Sequence, residues 1–291
     1  MSWRTVVIST RCKLDCKMGY MVVRGEEVKR IFLDEIALVL IENPAVSLTG
    51  CLLEALVERK IKVIFCNGKR NPVAELLPYH GCYDCSRKVK AQIAWQEDLK
   101  GAVWADIVTE KIRKQGEFLS QTNHPTEAEL LHTYLSQVEA HDKTNREGHA
   151  AKVYFNALFG KSFTRNEESV TNAALNYGYM ILLSSFNREI TAQGYLTQLG
   201  IFHDNMFNQY NLSCDLMEPF RILIDREVYA GSFSVFSSEE KYRLVNVLNQ
   251  TIFIDQTKQT VLNGIRIYCR SIFDALNERD PARILFYHNL L

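Results

Sequence analysis

Three separated stretches carry the side chains that could do chemistry. REGHAAKVYF (146–155) places Glu147 where a helix should begin. LGIFHDNMF (199–207) places His203 in a turn between helices, and SCDLMEPFR (213–221) carries the acidic pair Asp215 and Glu218. Two carboxylates and one imidazole from three helix ends would form a mixed oxygen and nitrogen site. Such a site suits Mg²⁺ or Mn²⁺, with water and phosphate oxygens completing the coordination, and Mn²⁺ tolerates imidazole better. Its chemistry is to neutralise phosphate charge and to activate an attacking oxygen. The chain has no Walker-type phosphate loop, no GxGxxG after a strand, no GxSxG and no HExxH, so the signatures of several common enzyme classes are missing.

Each residue also has an ordinary structural explanation. A glutamate in the first turn of a helix interacts favourably with the macrodipole and needs no metal. A histidine in a turn is usually a polar surface residue or a hydrogen-bonded core residue. From Asp215 onward, helical spacing puts Leu216, Met217, Phe220, Leu223 and Ile224 on one arc. Asp215, Glu218, Arg221 and Asp225 fall on the opposite one, with Ile222 the only apolar intruder. Taken alone, that polar arc reads as a solvated face capped by Ser213.

The elements that must position these residues change character near residue 80. Before it, RTVVIST, GYMVVRG, EVKRIFLDE, IALVLIE and AVSLT are strand-length and rich in Val, Ile and Phe. GCLLEALVERK reads as a helix capped by Thr49, and IKVIFCNGK as a strand stopped by an Asn-Gly turn. After it, long amphipathic segments predict helices, beginning with 86–121, which is broken near Gly101. A helix follows Pro125 with Thr126 placed to cap it. The expected architecture is α+β and multidomain: a small β-rich domain over 1–80, then a larger all-α domain over 81–291 that holds all three stretches.

Composition adds bounds and little direction. Thirty-four basic and 34 acidic residues cancel, 47% of the chain is apolar and 23% charged, as in ordinary globular proteins. The opening MSWRTVVIST lacks the apolar run of a secretory signal, and the stretch Ile36–Ile41 is far too short to span a membrane. A cytoplasmic protein with reduced thiols is expected. Cys12 with Cys16 and Cys82 with Cys85, near His80, could offer thiolates to zinc. Cys12 and Cys16, however, should straddle a hairpin turn and the second pair should lie in a loop, so two ordinary thiol pairs are the simpler reading. Basic clusters at Arg87, Lys88 and Lys90, at Lys111, Arg113 and Lys114, and at Lys161 with Arg165 read either as phosphate-tracking or as solvated helix faces.

EGHAAKVYFNALFG (147–160), LNYGYMILLS (175–184), LGIFHDN (199–205) and DLMEPFR (215–221) stand in the order and spacing of one family. They resemble the CRISPR-associated adaptation integrase, the metal-dependent nuclease family that inserts new spacers into a CRISPR array. The resemblance covers nearly the whole chain: it implies a β-sandwich-like domain over 1–80 and an all-α domain over 81–291 carrying the metal site, and the opening MSWRTVVIS looks like the form accompanying type II-A systems. It implies that Glu147, His203 and Glu218 are the catalytic metal ligands for Mg²⁺ or Mn²⁺. Asp215 becomes a supporting or proton-handling neighbour, although many family members use aspartate as the third ligand. Arg221 would hold a carboxylate or a DNA phosphate, and Lys152, Lys161, Arg165, Arg87 and Lys88 are DNA-binding candidates. Gly148 would let DNA backbone or a neighbouring helix approach Glu147, with His149 turned away from the metal.

The implied reaction is attack of a 3′-hydroxyl on a phosphodiester at a repeat end. The implied partners are DNA, a second copy of the chain, a small ferredoxin-like adaptation protein, a ring-forming DNA-binding protein and the RNA-guided effector nuclease, in a bacterial cytoplasm. Two alternatives stay open: a non-catalytic scaffold that binds DNA ends, and a helical metal-dependent phosphohydrolase.

Overall fold

A computed structural model describes residues 4–78 and 82–289. The expected changeover at residue 80 lies outside these described residues. The first part comprises β1 (Arg4–Ile8), β2 (Lys13–Lys17), β3 (Tyr20–Arg24), β4 (Val28–Phe32), β5 (Ile36–Ile41), β6 (Ser47–Leu48), α1 (Gly50–Glu58), β7 (Lys62–Cys66) and β8 (Pro72–Leu76). One sheet has the order β1-β5-β7-β8, parallel except for β8; the other has the order β4-β3-β2-β6. Their facing residues Leu14, Met21, Ile36, Val39 and Val63 form one core with Leu52 and Leu56 of α1. Thr49 caps α1 by accepting from the Leu52 amide, as its position predicts.

The β5 run IALVLI is buried at every position. Ile36, Val39 and Ile41 face the β core, whereas Ala37, Leu38 and Leu40 join the helical core with Ile64 and Cys66 of β7. A parallel sheet covered on both faces needs such a continuous apolar run. The sheet is therefore the wall on which the helices are built.

The helices are α2 (Cys85–Ile93), α3 (Glu97–Gln121), α4 (Pro125–Leu135), α5 (Arg146–Phe159), α6 (Val170–Ala192), α7 (Asn211–Met217), α8 (Arg221–Gly231) and α9 (Ser238–Asn246). They are followed by β9 (Thr251–Ile254), β10 (Thr257–Thr260), α10 (Val261–Glu278) and β11 (His288–Asn289). A single 3₁₀ turn, Glu218–Phe220, joins α7 to α8. Pro219 removes one backbone donor there, which accounts for the locally tightened ladder.

Several expectations are corrected. The first long helix breaks at residues 94–96 and not at Gly101, which is buried inside α3. Trp95, in that break, is buried with its indole N–H donating to Asn277. Pro125 itself opens α4, with no side-chain cap from Thr126. Cys12 and Cys16 both precede the β2–β3 turn at Met18 and Gly19, so they do not straddle it. The helical half also holds a small sheet of order β10-β9-β11.

The central helix α6 approaches α8 at Gly178, where an added Cβ would lie 2.4 Å from Ile224 Cγ2. Glycine inside a helix ordinarily costs about 1 kcal/mol relative to alanine, so Gly178→Ala should stabilise if propensity governed. The β-branched neighbour cannot swing away, and overpacking of this kind costs about 1–3 kcal/mol. Gly178→Ala is therefore expected to lower the denaturation midpoint in guanidinium; a midpoint at or above the parent's would show that the two helices separate freely.

Candidate active site

Glu147, His203 and Glu218 line one cavity of about 280 Å³ together with Lys111, Arg165, Tyr179, Arg221 and Asp225. Lys111 on α3 and Glu218 at the α7–α8 junction, 107 positions apart in the chain, are thus brought together with Glu147 of α5 by helix packing.

Glu147 occupies the first turn of α5. Asn145, at the N-cap, has left-handed backbone and offers no side-chain cap; Asp142 does this from below, accepting from the amides of Arg146 and Glu147 at 2.8 and 3.0 Å. Gly148 makes room for the Asn145 side chain, whose Oδ1 would lie 2.7 Å from an added Cβ. The space that the sequence reading gave to DNA or a neighbouring helix is filled by the chain's own preceding turn. Ala150 and Tyr154 are buried and His149 is exposed.

His203 is held from three sides. Its Nδ1 lies 2.6 Å from Asp215 Oδ1, and Asp215 also accepts from the amides of Ile201, Phe202 and His203 at 2.6, 3.1 and 3.0 Å. Phe202 stacks on the buried Trp104 ring at 4.5 Å, and the imidazole meets that ring edge-on. Gly200 lets the loop double back, since a Cβ there would lie 2.2 Å from the His203 carbonyl oxygen. The Asp215 hydrogen bond, opposed by burial, raises the imidazole above its ordinary value. Asp215 thus has its oxygens occupied by the loop, while Nδ1 bonding leaves Nε2 as the remaining ring nitrogen.

The polar arc of 215–225 is not solvated. Asp215, Glu218 and Asp225 are 0, 3 and 1% exposed, and Ser213 is buried within α7 instead of capping it. Each buried charge has partners. Glu218 Oε1 accepts from Arg221 Nε at 2.8 Å, and Oε2 lies 2.5 Å from Lys111 Nζ. The same Nζ lies 2.5 Å from Glu147 Oε1. Burial alone would push the Lys111 ammonium down, but Glu218 and Glu147 outweigh it and hold it above the usual lysine range. Burial likewise opposes ionisation of Glu218, yet Arg221 and Lys111 keep its carboxyl below the ordinary glutamate value.

Lys111, Tyr179 and Asp225 were not among the expected site residues, although Tyr179 lies within the LNYGYMILLS stretch and Asp225 on the polar arc. Lys111 reads from the sequence as part of a basic cluster, but Arg113 pairs with Glu110 and Glu117, and Lys114 with Glu110 and the Tyr287 carbonyl. Only Lys111 of the three lines the cavity. Arg165 also lines it, bound to Asn172 and Asn176. Lys152 and Lys161 are exposed, and Arg87 and Lys88 pair with Asp84. The Cys82 and Cys85 sulfurs are 3.3 Å apart; His80 lies outside the described residues.

Two carboxylates share one ammonium, with an imidazole on the same cavity; the donor types are those a hard divalent cation takes, but among the described residues no three His, Cys, Asp or Glu side chains stand grouped as they would around an ion. Arg165 and Arg221 also line the cavity and add positive charge to it.

A family model described as CRISPR associated protein Cas1 matches residues 5–232. A protein named CRISPR-associated endonuclease Cas1, from Neisseria meningitidis serogroup C (strain 8013), is 36% identical over 229 residues, covering 78% of this chain and 75% of its own. Among solved structures, a Cas1 protein from Thermotoga maritima matches with a TM-score of 0.76 at 17% identity, over 94% of this chain and 97% of that one. A chain of a Cas6-RT-Cas1–Cas2 complex matches with a TM-score of 0.75 at 17% identity; 97% of this chain is covered, but only 36% of the longer one.

Two outcomes follow from the site's geometry. Burial pushes the Asp225 carboxyl up to about 6, partly offset by the Tyr179 hydroxyl that donates to it and by Arg221. This folded-state value lies above that of the unfolded chain, so the group supports folding fully below about pH 4 and withdraws that support as pH rises through about 6. Asp225→Asn should therefore gain about 2–3 kcal/mol on the parent between pH 4 and pH 8 in matched denaturant titrations; parallel pH curves would contradict the assignment. In Asp215→Asn the imidazole loses its carboxylate, and NMR titration of the His203 ring should show its pKa falling below the parent's. An unmoved value would mean that Asp215 holds only the loop backbone.

Proposed function

The chain belongs to the CRISPR-associated Cas1 family, and we propose that it is a metal-dependent DNA endonuclease and integrase that joins new spacers to a CRISPR array. The observation that carries this reading is the convergence of Glu147, His203 and Glu218 on one cavity that Arg165 and Arg221 also line. These three residues would hold Mg²⁺ or Mn²⁺. When bound, the ion stabilises charge on the phosphoryl oxygens and eases both bond making and bond breaking.

The chain's own residues supply position and charge. Asp215 orients the imidazole through Nδ1, as carboxylates commonly do for metal-binding histidines. Arg221 is fixed by Glu218 and by the Tyr179 ring 4.6 Å away, and Arg165 by two asparagines. Both guanidiniums are therefore preorganised to meet phosphate oxygens, which they match with paired donors. In the joining step the donor 3′-oxygen bonds to phosphorus as the bond to the leaving 3′-oxygen breaks in line. One phosphodiester replaces another, and water in place of the donor turns the same displacement into endonucleolytic cleavage.

The reading extends to assembly. A solved neighbour in fold is part of a complex whose name includes Cas2, and we assign this chain a small ferredoxin-like partner of that kind. A homodimer through the β half follows from the same reading, with a ring-forming DNA-binding protein and the RNA-guided effector nuclease in a type II-A setting. No helix among the described residues is long and apolar enough to cross a membrane, in keeping with work on DNA in the cytoplasm.

The test is integration of a labelled duplex with free 3′-hydroxyls into a plasmid carrying a leader and repeat, with the small partner and Mg²⁺ or Mn²⁺. The parent should join label to plasmid, and Glu147→Ala and Glu218→Ala should each lose about a hundredfold or more of that rate. Joining retained by Glu147→Ala, or no joining by a folded parent that still binds the duplex, would overturn the integrase and leave a DNA-end scaffold.

A further inference from the structure

We propose that Lys111 is a built-in counter-cation that competes with the divalent metal for Glu147 and Glu218, so that the metal loads only as the ammonium leaves. The inference rests on the metal-centre reading above and adds a residue that no motif marks.

Its basis is one juxtaposition: Lys111 Nζ stands 2.5 Å from Glu147 Oε1 and 2.5 Å from Glu218 Oε2. Glu218 cannot turn both oxygens elsewhere, because its other one is bound to Arg221. A divalent ion binds carboxylate oxygen at about 2.0–2.2 Å. An ion held by these two oxygens would therefore sit almost against the ammonium, and two cations so close in a buried site repel strongly. One of them must go.

Lysine is suited to leave. Its charge rides on a flexible four-carbon stem, whereas an arginine fork in the same place would be held by planar, paired hydrogen bonds. The backbone of α3 is fixed against α4 and α5, with Trp104, Ile107 and Ile112 buried around it. Only the side chain can move, and the open space it reaches is the cavity between Glu147 and Arg165. There the displaced ammonium adds to the two guanidiniums facing a phosphate.

The pairing also explains how the site survives without metal. Without it the buried Glu218 would keep Arg221 but stand close to the part-buried Glu147 with less positive charge between them, a destabilising arrangement. Lys111 supplies the missing charge and so raises the metal concentration needed for loading.

The experiment is calorimetric titration of the full-length, metal-stripped protein with Mn²⁺ at pH 8, paired with thermal melts. Lys111→Met keeps the side chain's length without its charge; Lys111→Gln, which still donates to carboxylates, serves if Lys111→Met fails to fold. The neutral variant should bind Mn²⁺ about tenfold tighter than the parent or better, because a repelling charge is gone. Its metal-free Tm should fall below the parent's, and its Tm gain on adding Mn²⁺ should be the larger. Equal or weaker Mn²⁺ binding by the neutral variant, with binding by the parent abolished in Glu147→Ala, would overturn the competition while leaving the metal centre standing. No Mn²⁺ binding by parent or variant would overturn both.

Discussion

Everything near the cavity depends on one constraint: charge that is taken out of water must be paired. The α7–α8 segment brings Asp215, Glu218 and Asp225 into the interior at nearly zero exposure. Each is answered by a different device. Asp215 collects three backbone amides and an imidazole. Glu218 is gripped by an ammonium and a guanidinium. Asp225 has a tyrosine hydroxyl and more distant arginines, and its raised carboxyl shows that these compensate it least. The three carboxylates lie within eleven residues of one another, so differences in their behaviour come from neighbours and not from local sequence.

That distinction explains what could be read in advance. Faces separate in 215–225 as periodicity predicts, but periodicity reports only that charged residues share an arc. Whether the arc meets solvent depends on α3 and α6, which lie earlier in the chain and pack against it. The strands of the first part were legible because Val and Ile runs bounded by turns have few other uses. The β9–β10 hairpin was not, and the reason is its turn: Asp255 and Gln256 both adopt positive φ, 49° and 57°. A two-residue turn of this kind usually announces itself with Asn-Gly or Asp-Gly, and Asp-Gln does not. Glu147, His203 and Glu218 were legible as a set through motif order, whereas Lys111 looked like any member of a basic helix face.

The helical half owes its placement to the sheet. Because β5 and β7 turn one face to the β core and the other to the helices, the wall behind α6 is continuous with the sandwich. From that wall α6 contributes Tyr179 to the cavity, and α8 lies against α6 close enough that only glycine fits at Gly178. Arg221 and Asp225 leave the same short helix one turn apart. A small displacement of α8 would move the Glu218 partner and the buried Asp225 together, which ties the close α6–α8 packing to the site's charge balance.

That balance gives the site its character. Lys111 and Arg221 offer two positive charges against Glu147, Glu218 and Asp215. The imidazole, raised by Asp215, tips the sum toward neutrality as it protonates. A metal-free cluster of this kind is close to self-compensated and holds little attraction for another anion. On the proposed function, a divalent ion would make it net positive, the sign required to receive a phosphodiester and the further negative charge that would develop as phosphorus is attacked. The same side chains therefore stabilise one state of the site by pairing with each other and serve the other by parting. Only the lysine, through length and flexibility, can take part in both without moving a helix.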